Sequence, residues 1–106
     1  MTRGTLKASN NEALVTLLSV KLSFPGCSSL KEKRRRLLPL LARLRSEYNA
    51  CFAETGLQDY WQSGWISCAL VSNNGQYNGQ VADEIIHYLE AHFPDEIIDE
   101  HHIESR

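Results

Sequence analysis

No apolar stretch in this chain approaches the roughly 18 residues that a membrane span requires. The longest candidate, Ala13 to Leu22, is interrupted by Thr16, Ser19 and Lys21. No secretory leader is expected, because the first dozen residues are polar and no small-residue cleavage pattern follows an apolar region. Cysteine is scarce: three in 106 residues, an odd number at wide spacing. That argues against a disulfide framework and for a reducing, cytoplasmic setting. The four histidines make no convincing metal set. His87 and His92 are five apart on an expected helix, and His101 and His102 are neighbours on an expected strand, so neither pair aligns two ligands. No metal or cofactor is expected. A nucleophile loop is also missing. With five residues intervening after Cys27 comes Lys33, where a phosphatase loop needs arginine, and Phe24 to Ser29 lacks the arginine of an acylphosphatase-like loop. No catalytic residue is assigned, and the chemistry the chain supports is binding.

What is present is an ordinary globular composition with a strongly uneven charge. Hydrophobic residues make up 42% and charged residues 23%, with a formal net charge of −2. Residues 1–53 hold ten Lys+Arg against three acids, and residues 54–106 hold one arginine against ten acids. A fold that keeps these halves apart has a basic surface and an acidic one. A fold that interleaves them neutralises both.

At this length the chain holds one core. Residues 1–12 read as a flexible polar tail and residues 13–106 as a single domain. From Ala13 to Leu22 the branched, loosely alternating residues predict a strand, broken by Phe24-Pro25-Gly26. Ser29 followed by Glu32 has the form of a capping box, opening a leucine-striped helix through Leu30, Leu37, Leu41, Leu44 and Tyr48. Pro39 lies inside that helix and predicts a kink or an unpaired carbonyl. Asn49 to Thr55 reads as a short strand, Gly56 to Gly64 as a loop, and Trp65 to Ser72 as an apolar strand. Asn73-Asn74-Gly75 reads as a turn, Gln80 to Phe93 as an amphipathic helix, and Ile97 to Glu104 as a charged final strand.

The order βαββαβ predicts an α+β, ferredoxin-like sandwich: an antiparallel sheet in the order 4-1-3-2 with two helices on one face. In that topology the first strand delivers the first helix to the pole where the second strand ends. The opening of the helix and the loop carrying Gln58 to Gln62 are therefore expected together. The third strand is apolar on both faces, Ile66, Cys68 and Leu70 on one and Trp65, Ala69 and Val71 on the other. The helices cover only one, so a homodimer is expected to cover the second.

The helix opening carries the main functional signal. Lys31, Lys33, Arg35 and Arg36, with Arg43 further along, oppose the helix dipole, a small cost that a bound polyanion offsets. RNA contact through these residues is the leading expectation. Arg34 falls on the apolar stripe between Leu30 and Leu37 and is expected to be buried in an ion pair with Glu54 or Asp59. Tyr60 and Trp61 beside a basic helix end suit base stacking. The favoured reading is structural: Trp61 anchors the loop to the core, and Gln62 or Asp59 ties down backbone.

Ser29-Leu-Lys-Glu-Lys-Arg34, the leucine-arginine helix through Arg45, Asn49, Ala53-Glu54, Gln58-Asp59 and Trp61-Gln62 together resemble the YlxP-like family of bacterial proteins of unknown function. The resemblance runs over roughly residues 13–104 and rests on Lys33, Arg34, Glu54, Asp59, Trp61 and Gln62. It implies a ferredoxin-like fold, a cytoplasmic location and no assigned activity. Because such genes often neighbour translation-initiation and ribosome-maturation factors, it also implies an association with ribosomes or RNA. The alternative is a homodimeric protein-interaction module with no nucleic-acid ligand.

Overall fold

The computed structural model describes residues 11–106, so the expected tail over residues 1–12 lies outside it except for its last two residues. Six elements follow in order: β1 (Leu14–Ser23), α1 (Leu30–Glu47), β2 (Cys51–Gly56), β3 (Ser63–Ser72), α2 (Gly75–His92) and β4 (Ile97–Ser105). The strands form one antiparallel sheet in the order β2-β3-β1-β4. The fold is the expected α+β, βαββαβ arrangement.

Alternation along the central strands sets the core. Thr16, Leu18, Val20 and Leu22 of β1 are buried, as are Ile66, Cys68 and Leu70 of β3. Against that face lie Leu37, Leu40, Leu41 and Leu44 of α1 and Ala82, Ile85, Ile86 and Leu89 of α2. The other face carries Leu17 paired with Ala69, Ser19 with Ser67, and Lys21 with Trp65. A polar seam crosses it: Ser67 Oγ lies 3.0 Å from Ser19 Oγ and 2.8 Å from Thr55 Oγ1. Trp65 stacks on His102 of β4, with ring centroids 5.8 Å apart.

α2 starts five residues earlier than the periodicity predicts. Asn73-Asn74-Gly75 is a helix start instead of a turn: Asn74 caps α2, its side chain accepting from the Tyr77 N–H at 3.1 Å. Gly75 and Gly79 dilute the apolar period there. Asn78, buried in the second turn, then donates to the Leu14 carbonyl and accepts from Ser72 Oγ. It joins the starts of β1 and α2 to the end of β3.

α1 runs unbroken through Pro39, which sits on its exposed side. The ring has no N–H, so the carbonyl of Arg35 loses its helical donor. Pro39→Ala restores the hydrogen bond without disturbing the core. It should stabilise the protein by about 1–2 kcal/mol, less than the full proline penalty because the existing helix has relaxed around the ring. A higher urea midpoint at unchanged m-value would register the gain.

Candidate nucleic-acid interface

The end of β1, the start of α1 and the β2–β3 loop meet at one pole. The Phe24 N–H donates to the Gln62 carbonyl at 2.9 Å. Gln62 Nε2 donates to the Cys27 carbonyl at 3.3 Å, tying loop to helix opening as expected of it. Lys33 Nζ donates to the Leu57 carbonyl at 2.9 Å. The juxtaposition inferred from topology is thus made by three contacts between the two segments.

Lys33, not Arg34, occupies the buried position on α1. It is 2% exposed, whereas Arg34 lies on the exposed surface. Both fall between Leu30 and Leu37 at helical spacing, so periodicity alone does not separate them. The sheet does: Gly64 of β3 leaves a slot, and a Cβ there would sit 3.2 Å from Lys33 Cε. Lys33 Nζ lies 3.1 Å from Glu54 Oε2 and 5.9 Å from the centroid of the Phe24 ring. Oε2 is buried without a hydrogen bond, so its contact with Nζ is ionic and not a directed bond. The partner expected of Arg34, Glu54, therefore belongs to Lys33. The phosphate contact expected of Lys33 has no exposed charge to make it.

Arg36 is also committed inside the molecule. Its Nε donates to Glu96 Oε1 at 2.9 Å, its Nη1 to the Pro25 carbonyl at 2.9 Å and its Nη2 to the Asp95 carbonyl at 3.2 Å. The Glu96 side chain is only 8% exposed, so the pair is partly desolvated. Arg36 clamps α1 to the α2–β4 connection. Arg43 lies over the Tyr88 ring and donates to its hydroxyl at 3.1 Å, keeping an exposed guanidinium. Arg45 donates to the Phe52 carbonyl at 2.7 Å.

Lys31, Arg34 and Arg35 are different. They are exposed, and among the described residues no carboxylate lies within salt-bridge distance of them. The acidic half of the chain thus takes Lys33 and Arg36 and leaves these three uncovered. They flank a shallow groove floored by Leu38 and Pro39, with Leu38 56% exposed.

The loop departs from the favoured expectation. Trp61 is 51% exposed and Tyr60 62% exposed, so Trp61 does not anchor the loop in the core. The anchoring comes from the Lys33 and Gln62 hydrogen bonds, while within the loop the Tyr60 N–H closes a turn by donating to the Leu57 carbonyl at 3.0 Å. Leu57 itself has φ +58°, a left-handed conformation that costs a non-glycine residue about 1–2 kcal/mol. Asp59, at the loop's tip, is exposed. Between α1 and this loop lies a cleft of about 170 Å³ whose lining includes Lys33, Arg34, Glu54 and Asp59. Sequence reasoning missed Gly64 and Phe24 as parts of this site. Only the glycine carried a signal, a small residue at the mouth of an apolar strand.

The capping box that opens α1 is shifted by one residue. Ser29 Oγ accepts from the Glu32 N–H at 3.0 Å, and Glu32 reaches back to Ser28, accepting from its N–H at 3.2 Å and its hydroxyl at 3.0 Å. These bonds to Ser28, backbone first, and then the Arg36 and Arg35 charges hold the Glu32 carboxyl below its usual range. A carboxyl depressed in the folded state contributes stability above its unfolded pKa of about 4.3, lost as pH falls through the folded value. Glu32→Gln should therefore lower stability at neutral pH and leave it nearly unchanged in acid. Urea midpoints at pH 7 and pH 3 provide the comparison.

A protein-family profile described as "Protein of unknown function (DUF503)" matches residues 15–102. The chain is also similar to the uncharacterized protein YlxP of Bacillus subtilis (strain 168), at 31% identity over 67 residues, covering 63% of this chain and 72% of that protein. The match spans α1, the β2–β3 loop and the cleft between them, and the chain belongs to the DUF503 family of proteins of unknown function.

Proposed function

We propose that this is a cytoplasmic, non-enzymatic protein that binds single-stranded RNA, free or within a ribosomal particle, at the pole where α1 opens. One observation carries the reading. Three exposed cations without a carboxylate partner among the described residues, Lys31, Arg34 and Arg35, share one groove on α1, and Arg34 also lines a cleft with the loop that turns Tyr60 and Trp61 to solvent. Cations hold phosphates and exposed aromatic rings stack bases, and a sequence-tolerant single-strand site combines the two. Lys33 and Arg36 leave the expected phosphate set, since both are bound internally. Lys31 and Arg35 carry it, with Arg43 at its far end.

The test is a salt titration of binding to a uridine-rich RNA oligomer. The logarithm of the affinity should fall linearly with the logarithm of salt. Neutralising Lys31 and Arg35 to glutamine should reduce that slope by about 1.4, from ~0.7 per single-strand phosphate contact. Trp61→Ala should weaken binding by about 1–3 kcal/mol with the slope kept. Binding indifferent to salt, or unchanged in both variants, overturns the reading.

A second reading rests on the open sheet face, where Leu17 and Ala69 are half-buried, Val71 is 66% exposed, and no helix among the described residues covers them. It is a homodimer in which a second copy covers that face, without a nucleic-acid ligand. Sedimentation beside the RNA titration separates the two. A dimer that takes up no RNA leaves only the second.

A further inference from the structure

Resting on the RNA reading above, we propose that the cleft between α1 and the β2–β3 loop receives one unpaired guanine base of the bound strand. The cleft measures about 170 Å³. That is below the roughly 300 Å³ at which pockets begin to hold drug-sized ligands, so it suits a single ring system.

Its chemistry narrows the choice. Leu30 and Leu37 of α1 supply apolar walls, and the Lys33–Glu54 pair is neutral as a unit. That leaves Arg34 and Asp59, one charge of each sign, both exposed and with no ion pair among the described residues. A cleft of zero net charge does not select a phosphate or a metal ion. It selects a neutral, flat molecule that offers acceptors to a guanidinium and donors to a carboxylate. Guanine does both: N7 and O6 form an acceptor pair for the guanidinium fork, and N1–H and N2–H form an adjacent donor pair for a carboxylate. Adenine puts a donor beside its N7 acceptor and mismatches the fork. Cytosine and uracil have no N7. Guanine's donor edge is occupied in a duplex, so the base must be unpaired.

Two local features of the cleft and its loop point the same way. Glu54 Oε2 has an ionic contact with Lys33 Nζ but no directed hydrogen bond, and Leu57, next to the lining residue Gln58, is held at positive φ. Such strain and unmet polar groups concentrate where a ligand binds.

The experiment measures fluorescence anisotropy with three RNA pentamers, uridine throughout except for a central guanine, adenine or cytosine, at one salt concentration. The guanine pentamer should bind at least tenfold tighter than the other two. Asp59→Asn and Arg34→Lys, both at exposed positions, should bring the guanine pentamer to the level of the others. Arg34→Lys keeps the charge and removes the fork, so the salt slope should not move. Equal affinity for the three pentamers, or a preference that survives both variants, overturns the base assignment. If all three bind equally and with steep salt dependence, only that assignment falls. If none binds, the RNA reading falls with it. Guanosine monophosphate matching the guanine pentamer in affinity overturns the strand as the source of the base.

Discussion

Lys33→Met should destabilise the protein by about 2–4 kcal/mol, whereas Arg34→Met, one residue along, should change stability by less than about 0.5 kcal/mol. The methionine keeps most of the buried stem and removes the ammonium. Glu54 Oε2, already without a hydrogen bond, is then left as a buried carboxylate oxygen with no counter-charge, and the Leu57 carbonyl loses one of its two donors. The loss falls somewhat short of the largest buried-pair values because the Glu54 side chain is 26% exposed and recovers part of its hydration. The double variant Lys33→Met with Glu54→Leu should cost less than Lys33→Met alone, since no lone buried charge remains. Urea unfolding at constant m-value measures all three. Lys33→Met matching Arg34→Met would show that the ion pair contributes nothing to stability.

Phe24→Ala should cost about 3–5 kcal/mol, the range for removing a fully buried aromatic ring. Phe24 is wholly buried where β1 gives way to α1, and its ring lies 5.9 Å from Lys33 Nζ and 5.6 Å from Arg36 Cζ. The substitution opens a cavity and removes the surface over which both cations lie. It should therefore combine non-additively with Lys33→Met, the double variant losing less than the sum. Phe24→Leu fills more of the space and should recover more than half of the loss. Additivity within about 0.5 kcal/mol would mean that the ring and the ammonium are energetically independent.

These two residues show how far the sequence could be read. The strand order, the two apolar layers and the shared pole of α1 and the β2–β3 loop follow from local patterns, because alternation and helical stripes are properties of neighbouring residues. The choice between Lys33 and Arg34 is not local. Both fit the stripe, and the decision rests with Gly64, about thirty residues further on, whose missing side chain makes room for Lys33. Arg36 likewise depends on Glu96 and the Asp95 carbonyl in a distant connection. The apolar stripe singles out only Arg34 from the charge run, yet Lys33 and Arg36 are used inside the fold and Lys31, Arg34 and Arg35 are left exposed. A tryptophan in a loop does not reveal from sequence whether it packs inward; here polar contacts of Lys33 and Gln62 hold the loop and the ring stays half-exposed. α2 began early because Asn74 works as a cap, a role that a two-asparagine-glycine stretch does not distinguish from a turn.

This division of the cations also changes which variants inform on binding. Arg36→Ala would remove the partner of a nearly buried Glu96, so any loss of affinity would be confounded by loss of fold. Lys31 and Arg35 carry no such internal role, and their neutralisation reports on the ligand.

The most direct test follows backbone amide shifts by NMR while a uridine-rich RNA with one central guanine is added at low salt. Perturbed amides should be confined to residues 30–43 and 56–62, with Leu17 and Ala69 on the open sheet face unmoved. Perturbation centred on that open face, or no perturbation at any RNA concentration, would contradict it.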